Sequence, residues 1–298
     1  MYKLSSEISG ADLADKIDQY LQEQCLVCWS IEKNEETGSY ALCGYFDSPE
    51  DGKLEAVQIQ ENFPEIELPV GEVLQDQDWK ESYKKFVRPW QCGELLWVPS
   101  WMKGQLAIEP DLVPIYIEPG MAFGTGMHET TRVCAQGLVT FCSLYEKSND
   151  LVVKNCLDIG CGTGILGISA IKLGLSHAVM IDLDEDAVRI CKENAKENGI
   201  FQDQMEFIVG DVKVALLGRE ADLVFANILS PVLLENRDLL INSTKPGGML
   251  CLSGILTSEE EEIIDAFTEE IQKIWGGHLQ TVVRDGEWSG IFFLRGEK

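Results

Sequence analysis

Basic side chains and long apolar runs are scarce in this sequence of 298 residues. Lysine and arginine number 24 against 50 aspartates and glutamates, which gives a formal net charge of −26 at pH 7. This balance argues against a general nucleic-acid binder, because such proteins use lysine and arginine to displace phosphate counterions. No apolar run is long enough to cross a bilayer, and residues 1–18 lack the apolar block of a secretory signal. We therefore expect a cytoplasmic protein that neither spans nor binds membranes.

Histidine is rare, with three residues, and the ten cysteines form no paired motif. Only Cys25 and Cys28 have the spacing of metal ligands, and no second pair accompanies them. We interpret these two as buried free thiols of an apolar strand rather than as zinc ligands, and we predict no metal site. Because 45% of the residues are hydrophobic, the chain can bury a large core, and its length suits two domains.

The most informative stretch that is present is LDIGCGTGILG, residues 157–167. An apolar run ending at Leu157 predicts a strand, and residues 165–175 predict a helix. The three glycines between them, Gly160, Gly162 and Gly164, therefore occupy a strand-to-helix turn at which a ligand can lie against bare backbone. This arrangement is typical of cofactor-binding α/β folds.

Two cofactors compete for this turn. Residues 162–167 satisfy the dinucleotide pattern G-x-G-x-x-G, but that pattern alone is weak. Asp158 precedes the first glycine, and its carboxylate would repel a pyrophosphate, whereas it can bind the ammonium group of S-adenosylmethionine directly or through water. The order D-x-G-x-G-x-G from Asp158 to Gly164 therefore favours S-adenosylmethionine over NAD.

Polar residues also follow three further predicted strands. Asp182 follows residues 178–181 and is placed to bind the two ribose hydroxyls of either cofactor. Asp211 follows a strand at 207–210, and Asn227 follows one at 223–226. The recurrence of such residues at strand ends predicts a binding site at one edge of a sheet, although each acid alone, Asp211 above all, can instead cap a helix.

The amino-terminal quarter shows strand and helix patterns in the order βαββαβ. The first helix begins at residues 10–12 and places Leu13, Ile17, Tyr20 and Leu21 on one face. Leu54 and Val57 indicate a second helix, although residues 57–59 also alternate as a strand would. The predicted strands are 2–9, 25–31, 40–46 and 66–70. This order predicts a ferredoxin-like α+β domain over residues 1–75, a fold often used to bind a partner.

The charged segment that begins with DQDWKESYKKF predicts a linker over residues 76–92, and residues 93–298 then form the second domain. Strands are predicted at 95–98 and 106–108. We interpret Trp97 and Trp101 as packing residues rather than cofactor-stacking residues.

A second glycine-rich stretch, EPGMAFGTGMHETTRVC, covers residues 118–134. A helix is predicted to begin near Thr130, and Thr130 or Thr131 can cap it. Phe123 lies between small residues beside this polar helix start and suits a cover over a flat, cationic ligand. His128 is a candidate functional residue or an ordinary loop histidine.

Four motifs together resemble the bacterial ribosomal protein L11 methyltransferase (PrmA) family. The motifs are FGTGMHETT at 123–131, LDIGCGTGILG at 157–167, ANIL at 226–229 and LSGIL at 252–256. The likeness covers nearly the whole chain, including the Gly286-Glu287-Trp288 turn between the last two predicted strands. This chain departs from the family in a longer stretch between Thr131 and Asp158 and in its acidity, and neither departure touches a motif.

The resemblance implies a class I methyltransferase in residues 93–298, with a Rossmann-like doubly wound α/β sheet closed by an antiparallel hairpin from about Leu279 to Arg295. It implies S-adenosylmethionine as cofactor, contacted by Thr131, Gly160, Asp182 and Asn227, and we add Asp158, Gly162, Asp211 and Phe123 as candidate contacts. It also implies that the substrate is ribosomal protein L11, recognised by the amino-terminal domain and modified on lysines and its α-amine. We expect a monomer.

Methyl transfer to an amine requires donor and nucleophile in line but no covalent intermediate. Asn227 is the candidate that orients the amine, together with nearby carbonyls of Ile228 or Leu229, and His128 is a candidate relay for the released proton. Three alternatives stay open: a methyltransferase for another basic protein or a small amine, an NAD-dependent oxidoreductase, and a cofactor-binding module without catalysis.

Overall fold

The computed structural model describes residues 2–23, 26, 28–33, 38–46, 52–73, 87–118, 128–145 and 154–297. The chain divides into two units, Met1–Phe86 and Val87–Lys298. Residues 76–86 of the predicted linker lie outside the described residues. Its last part differs from the prediction, because Trp90–Cys92 is a strand that pairs within the second unit.

The first unit is a four-stranded antiparallel sheet with two helices. Its sheet has the order β2-β3-β1-β4, and every pairing in it is antiparallel. Apolar side chains of the strands and both helices share one core, in which Leu4, Ile17 and Leu42 are buried. The elements are β1 Tyr2–Ile8, α1 Ala11–Glu23, β2 Trp29–Lys33, β3 Tyr40–Phe46, α2 Lys53–Asn62 and β4 Val70–Val73.

Three details of this unit differ from the sequence-based expectation. Helix α2 forms, but it buries Ala56 and Ile59 and leaves Leu54 79% exposed. Since two residues correspond to about 200° of a helix, the buried face lies opposite the predicted one. The fourth strand begins at Val70 rather than at 66, and Cys28 is exposed because β2 begins one residue after it. Cys25 lies outside the described residues.

The second unit contains a seven-stranded sheet with the order β10-β9-β8-β11-β12-β14-β13 and a three-stranded sheet with the order β5-β6-β7. The strands are β5 Trp90–Cys92, β6 Leu95–Pro99, β7 Val113–Ile117, β8 Asn155–Ile159, β9 His177–Asp182, β10 Met205–Val209, β11 Ala221–Asn227, β12 Thr244–Leu256, β13 His278–Asp285 and β14 Trp288–Arg295. The helices are α3 Glu129–Tyr145, α4 Ile165–Lys172, α5 Glu185–Glu197, α6 Val212–Leu216, α7 Ser230–Glu235, α8 Arg237–Asn242 and α9 Glu260–Trp275.

Five neighbouring strands of the large sheet, β10 to β12, run parallel, and β14 pairs antiparallel with both β12 and β13. Two apolar cores cover its faces: one takes in α3, α4 and α5, and the other takes in α7, α8 and α9. Strand β8 contributes Cys156 to the first core and Leu157 to the second, since successive strand side chains point to opposite faces. The predicted α/β sheet, mostly parallel and covered on both faces, is thus present.

The small sheet corrects one predicted strand. Residues 106–108 are not a strand, because they lie between the turn at 103–105 and Pro110. The strand is instead β7, which pairs parallel with β6. Its second residue, Pro114, obscured it in the sequence, since proline is tolerated mainly in edge strands. Trp97 packs in the core, as predicted, and its Nε1 donates to Ser169 Oγ at 2.9 Å.

None of the helices within the described ranges is long and apolar enough to cross a membrane. In the same ranges no group of three or more His, Cys, Asp or Glu side chains is arranged to hold a metal ion.

Candidate functional site

A cavity of about 490 Å³ opens at the carboxyl ends of the parallel strands. Five candidates from the sequence line it: Gly160, Gly162, Asp182, Asn227 and His128. They come from residues far apart in sequence, and parallel strands bring them to one edge because their carboxyl ends all lie there. The cavity is also lined by Thr130, Ile159, Ile181, Leu183, Asp184, Ala187, Gly210, Val212, Ile228, Leu229, Val232, Gly254 and Trp288.

The glycine-rich turn presents bare backbone to this cavity. Gly160 has a φ of +71°, a conformation that residues with a side chain rarely adopt. A Cβ on Gly160 would lie 2.5 Å from Ile228 Cγ2, so a side chain would also collide with the opposite wall. Both constraints explain why the sequence requires glycine at this point.

Asp182, the last residue of β9, fixes the geometry of the turn. Its Oδ2 accepts a hydrogen bond from Gly162 N at 2.8 Å, and its Oδ1 accepts one from Asp184 N at 3.0 Å. Bonds from backbone N–H groups to an ionised carboxylate are about twice as strong as neutral ones. The carboxylate therefore connects the first turn of the site to the loop that begins α5.

Asp158 lies behind the turn and does not line the cavity. It is 1% exposed, and its Oδ2 accepts a hydrogen bond from Gly167 N at 2.9 Å inside α4. Burial raises the pKa of this carboxyl to about 7, against the opposing effect of the Gly167 bond and with a contribution from the nearby Asp182 charge. This burial leaves no direct contact between Asp158 and a ligand's ammonium group, and the contact through water that the sequence also allowed stays a prediction.

The raised pKa of Asp158 predicts a pH-dependent stability difference. Because the folded pKa lies above the unfolded value of 3.8, the native state binds a proton that the unfolded state releases, and stability is lost as pH rises toward 7. Asp158→Asn keeps an acceptor for Gly167 N but does not titrate. We expect its free energy of unfolding, relative to that of the wild type, to be about 2 to 3 kcal/mol higher at pH 8 than at pH 5. Denaturant unfolding at the two pH values measures this gain, and an equal difference at both would contradict the buried acid.

Two other candidates, Asp211 and Thr131, stand apart from the cavity wall. Asp211 caps α6, since its Oδ1 accepts a hydrogen bond from Val214 N at 2.8 Å, so the capping alternative describes its side chain. Thr131 is 1% exposed and does not line the cavity, whereas its neighbour Thr130 does; the Thr131 Oγ1 has no hydrogen-bond partner among the described residues. Phe123 lies outside the described residues.

Asn227 ends β11 between β8 and β12 and lines the cavity. Its Oδ1 is buried and has no hydrogen-bond partner within the described ranges, so one acceptor is left over at the site. The next residue, Ile228, donates its N–H to Ser253 O at 3.2 Å. Gly254 has a φ of +81°, and a Cβ there would lie 2.5 Å from Ile228 O, so the backbone of the loop after Asn227 rests directly on β12.

His128 and Trp288 form the aromatic part of the wall. Their rings meet edge to face with centroids 5.1 Å apart. The His128 Nδ1 lies 2.8 Å from Thr130 Oγ1, and Thr130 N donates to the same nitrogen at 3.3 Å.

Among the lining residues that sequence reasoning did not single out are Trp288 and Asp184. Trp288 was noted only as part of a turn, although an aromatic residue directly after that turn is a signal for a site residue. Asp184, two residues after Asp182, lines the cavity and also caps α5 through Asp186 N at 2.9 Å. Its position directly before a helix predicts the cap but gives no sign of the cavity.

Comparison with known proteins identifies the family. Residues 7–295 match the family described as ribosomal protein L11 methyltransferase (PrmA). The chain belongs to this family. It is 37% identical over 258 residues to the ribosomal protein L11 methyltransferase of Photorhabdus laumondii subsp. laumondii, which covers 85% of this chain and 80% of that protein. The corresponding protein of Alteromonas mediterranea is 38% identical over 221 residues, 74% of this chain and 68% of its own length.

A solved structure supports the same assignment. The ribosomal protein L11 methylase of Lactobacillus delbrueckii subsp. bulgaricus is similar with a TM-score of 0.53 and 25% identity, covering 68% of this chain and 95% of that one. The resemblance drawn from the four motifs is thus confirmed, as is the class I methyltransferase sheet. The NAD-dependent oxidoreductase alternative is not favoured.

As a PrmA-family member the chain is an S-adenosylmethionine-dependent methyltransferase. The cavity fits that cofactor in size, since small-molecule sites span about 300 to 1,000 Å³. It also fits in chemistry, because the wall offers bare backbone at Gly160, a carboxylate at Asp182 and an unsatisfied acceptor at Asn227.

Proposed function

We propose that this enzyme transfers methyl groups from S-adenosylmethionine to amines of ribosomal protein L11, on lysines and on the α-amine. Membership of the PrmA family supports the substrate, and the single structural observation that supports the amine chemistry is the buried, unsatisfied Oδ1 of Asn227 in the cavity wall. Gly160, Gly162 and Asp182 are the residues that would hold the cofactor. Once bound, the cofactor supplies an electrophilic methyl group on a sulfonium.

The protein's task is then to place a neutral nitrogen in line with that methyl group. Holding a lysine neutral at pH 7 costs roughly 4.6 kcal/mol, whereas an α-amine costs only about 1.4 kcal/mol. Burial beside a cation lowers either pKa. The mostly apolar wall that includes Ile228, Leu229 and Val232 provides such an environment.

Asn227 would orient the nucleophile. Its Oδ1 can accept one amine hydrogen, which turns the nitrogen lone pair away from the side chain. Because Gly254 packs against Ile228, the loop that carries the neighbouring carbonyls is fixed in place, so the acceptor is set before the substrate binds.

His128 would accept the proton that the amine releases. We expect His128→Gln to lower kcat at least tenfold and to change the pH dependence of kcat, because a proton relay acts only while its ring can change charge. Steady-state rates from pH 6 to pH 9 measure this effect. His177→Gln is the matched control, since His177 starts β9 at the opposite edge of the sheet. Identical profiles for wild type and His128→Gln would remove the role.

Residues 1–75 of the first unit would form a ferredoxin-like domain, and this domain would recognise the substrate protein. Its element order, βαββαβ, and its antiparallel sheet β2-β3-β1-β4 support this proposal. The net charge of −26 also suits a basic ribosomal protein. We further propose residues 93–298 as the catalytic domain, a linker at 76–92 whose last three residues form β5 of the second unit, and a monomeric enzyme.

Mass spectrometry of L11 tests this function. L11 purified from a strain without this methylation is incubated with the enzyme and cofactor, and we expect mass increments of whole methylene units on its lysines and amino terminus. Asn227→Ala serves as the depleted control. Unmodified L11, with methyl transfer to another basic protein in the same reaction, would contradict the proposed substrate.

A further inference from the structure

Two buried asparagines lie at the carboxyl end of α5: Asn194 in its last turn and Asn198, the residue directly after it, four residues apart and therefore on one face. Asn194 binds the backbone of Glu118, directly after β7, and Asn198 binds the backbone of Tyr116, the last residue but one of β7. Asn194 Oδ1 accepts from Glu118 N at 2.9 Å, and its Nδ2 donates to Glu118 O at 3.1 Å. Asn198 Oδ1 accepts from Tyr116 N at 2.8 Å, and its Nδ2 donates to Tyr116 O at 2.6 Å. The two side-chain amides thus pair with the backbone N–H and C=O groups of this strand edge, as a neighbouring strand would.

The third hydrogen bond distinguishes the two residues. Asn194 Nδ2 also donates to Thr163 O at 3.0 Å, whereas Asn198 Nδ2 donates to Asn194 O at 2.8 Å within its own helix. Thr163 is the residue between Gly162 and Gly164 of the glycine-rich turn. Asn194 therefore connects the turn to the end of β7, and Asn198 does not.

The helix packs directly against the turn at this point. A Cβ on Gly164 would lie 2.4 Å from Cys191 Sγ, three residues before Asn194. Asp182 binds the turn at Gly162 N, in the 161–162 peptide, and Asn194 binds it at Thr163 O, two peptides further along the chain. Both donor hydrogens of Asn194 have an acceptor, and the residue is only 1% exposed, so water has little access to the hydrogen bond between its Nδ2 and Thr163 O.

We propose that Asn194 is a positioning residue for the cofactor: its bond to Thr163 O sets the conformation in which Gly160 and Gly162 face the cavity. The proposal rests on the assignment of this cavity to S-adenosylmethionine. Asn198 is the matched control, because its side chain makes the same number of hydrogen bonds from the same helix to the same edge without touching the turn.

The test compares Asn194→Ala, Asn194→Asp and Asn198→Ala in the full chain. Asn194→Asp keeps an acceptor for Glu118 N and carries the test if the alanine variant does not fold. Calorimetry with S-adenosylhomocysteine measures affinity, thermal unfolding measures stability, and hydrogen exchange without ligand measures opening of residues 160–165. We expect the Asn194 variants to bind S-adenosylhomocysteine at least about fivefold more weakly than the wild type and to exchange faster at the turn. We expect Asn198→Ala to bind it within about twofold of the wild type despite a similar loss of stability.

Wild-type affinity in the Asn194 variants would overturn the proposal, and so would an equal loss of affinity in Asn198→Ala, which would indicate a general structural effect. Absence of binding by the wild type would instead contradict the assignment of the cavity to the cofactor.

Discussion

Asp182→Ala is expected to weaken S-adenosylmethionine binding at least 100-fold. A hydrogen bond to a charged group contributes about 1.5 to 3 kcal/mol, and we propose that this carboxylate accepts from the two ribose hydroxyls of the cofactor. The same substitution removes the bonds from Gly162 N and Asp184 N, so the turn and the start of α5 lose their connection. Isothermal titration calorimetry with the purified full chain measures the change.

Asp203→Ala is the matched control for this prediction, because it removes one negative charge from an exposed turn. It is expected to bind the cofactor as the wild type does. Asp182→Asn separates charge from geometry, since the amide oxygen keeps one acceptor. Wild-type affinity in Asp182→Ala would mean that the cofactor does not lie against the end of β9.

Asn227→Ala is expected to lower kcat at least tenfold while the affinity for S-adenosylmethionine changes less. The substitution removes the one buried acceptor of this wall that has no partner among the described residues, and an unoriented amine reaches the in-line geometry less often. Single-turnover methylation of L11 at saturating cofactor measures the chemical step, and calorimetry measures binding separately.

Asn242→Ala is the control for Asn227, since Asn242 is an exposed asparagine at the end of α8 whose amide donates to Asp238 O. It should methylate L11 at the wild-type rate. An unchanged single-turnover rate in Asn227→Ala would remove its orienting role and leave the neighbouring carbonyls of Ile228 and Leu229 as the candidates.

The parts of this protein that the sequence predicted best are those where local pattern and tertiary role agree. Strand β3 was predicted at its observed bounds, and β9 was predicted to end at Asp182, because a buried apolar run followed by a polar residue leaves few alternatives. The glycine-rich turn was placed correctly for the same reason: a strand, three glycines and an apolar helix permit one arrangement.

The sequence left a side chain's role open where burial, rather than pattern, decides it. Asp158 and Asp182 both lie in strands that end at the site, yet one is enclosed behind α4 and the other lines the cavity. The strand register separates them, because Asp158 pairs with Met180, two residues before Asp182, and so lies deeper in the sheet. The sequence alone does not give this register. Asp211 was ambiguous in the same way, and its bond to Val214 N accounts for it as a cap.

Helix α2 and strand β7 show a related limit. Leu54 and Val57 are apolar and correctly spaced, but the sheet is covered by the smaller Ala56 with Ile59, and only packing reveals which side faces it. Strand β7 contains Pro114, and it is completed by the side chains of Asn194 and Asn198, which no periodicity in the sequence indicates.

Hydrogen–deuterium exchange of the full chain with and without S-adenosylmethionine tests the central claim most directly, because it shows where the cofactor binds. Slower exchange is predicted in three segments that line the cavity, residues 159–164, 181–187 and 227–232, with residues 2–73 unaffected. Protection confined to other segments, or none at saturating cofactor, would contradict the account.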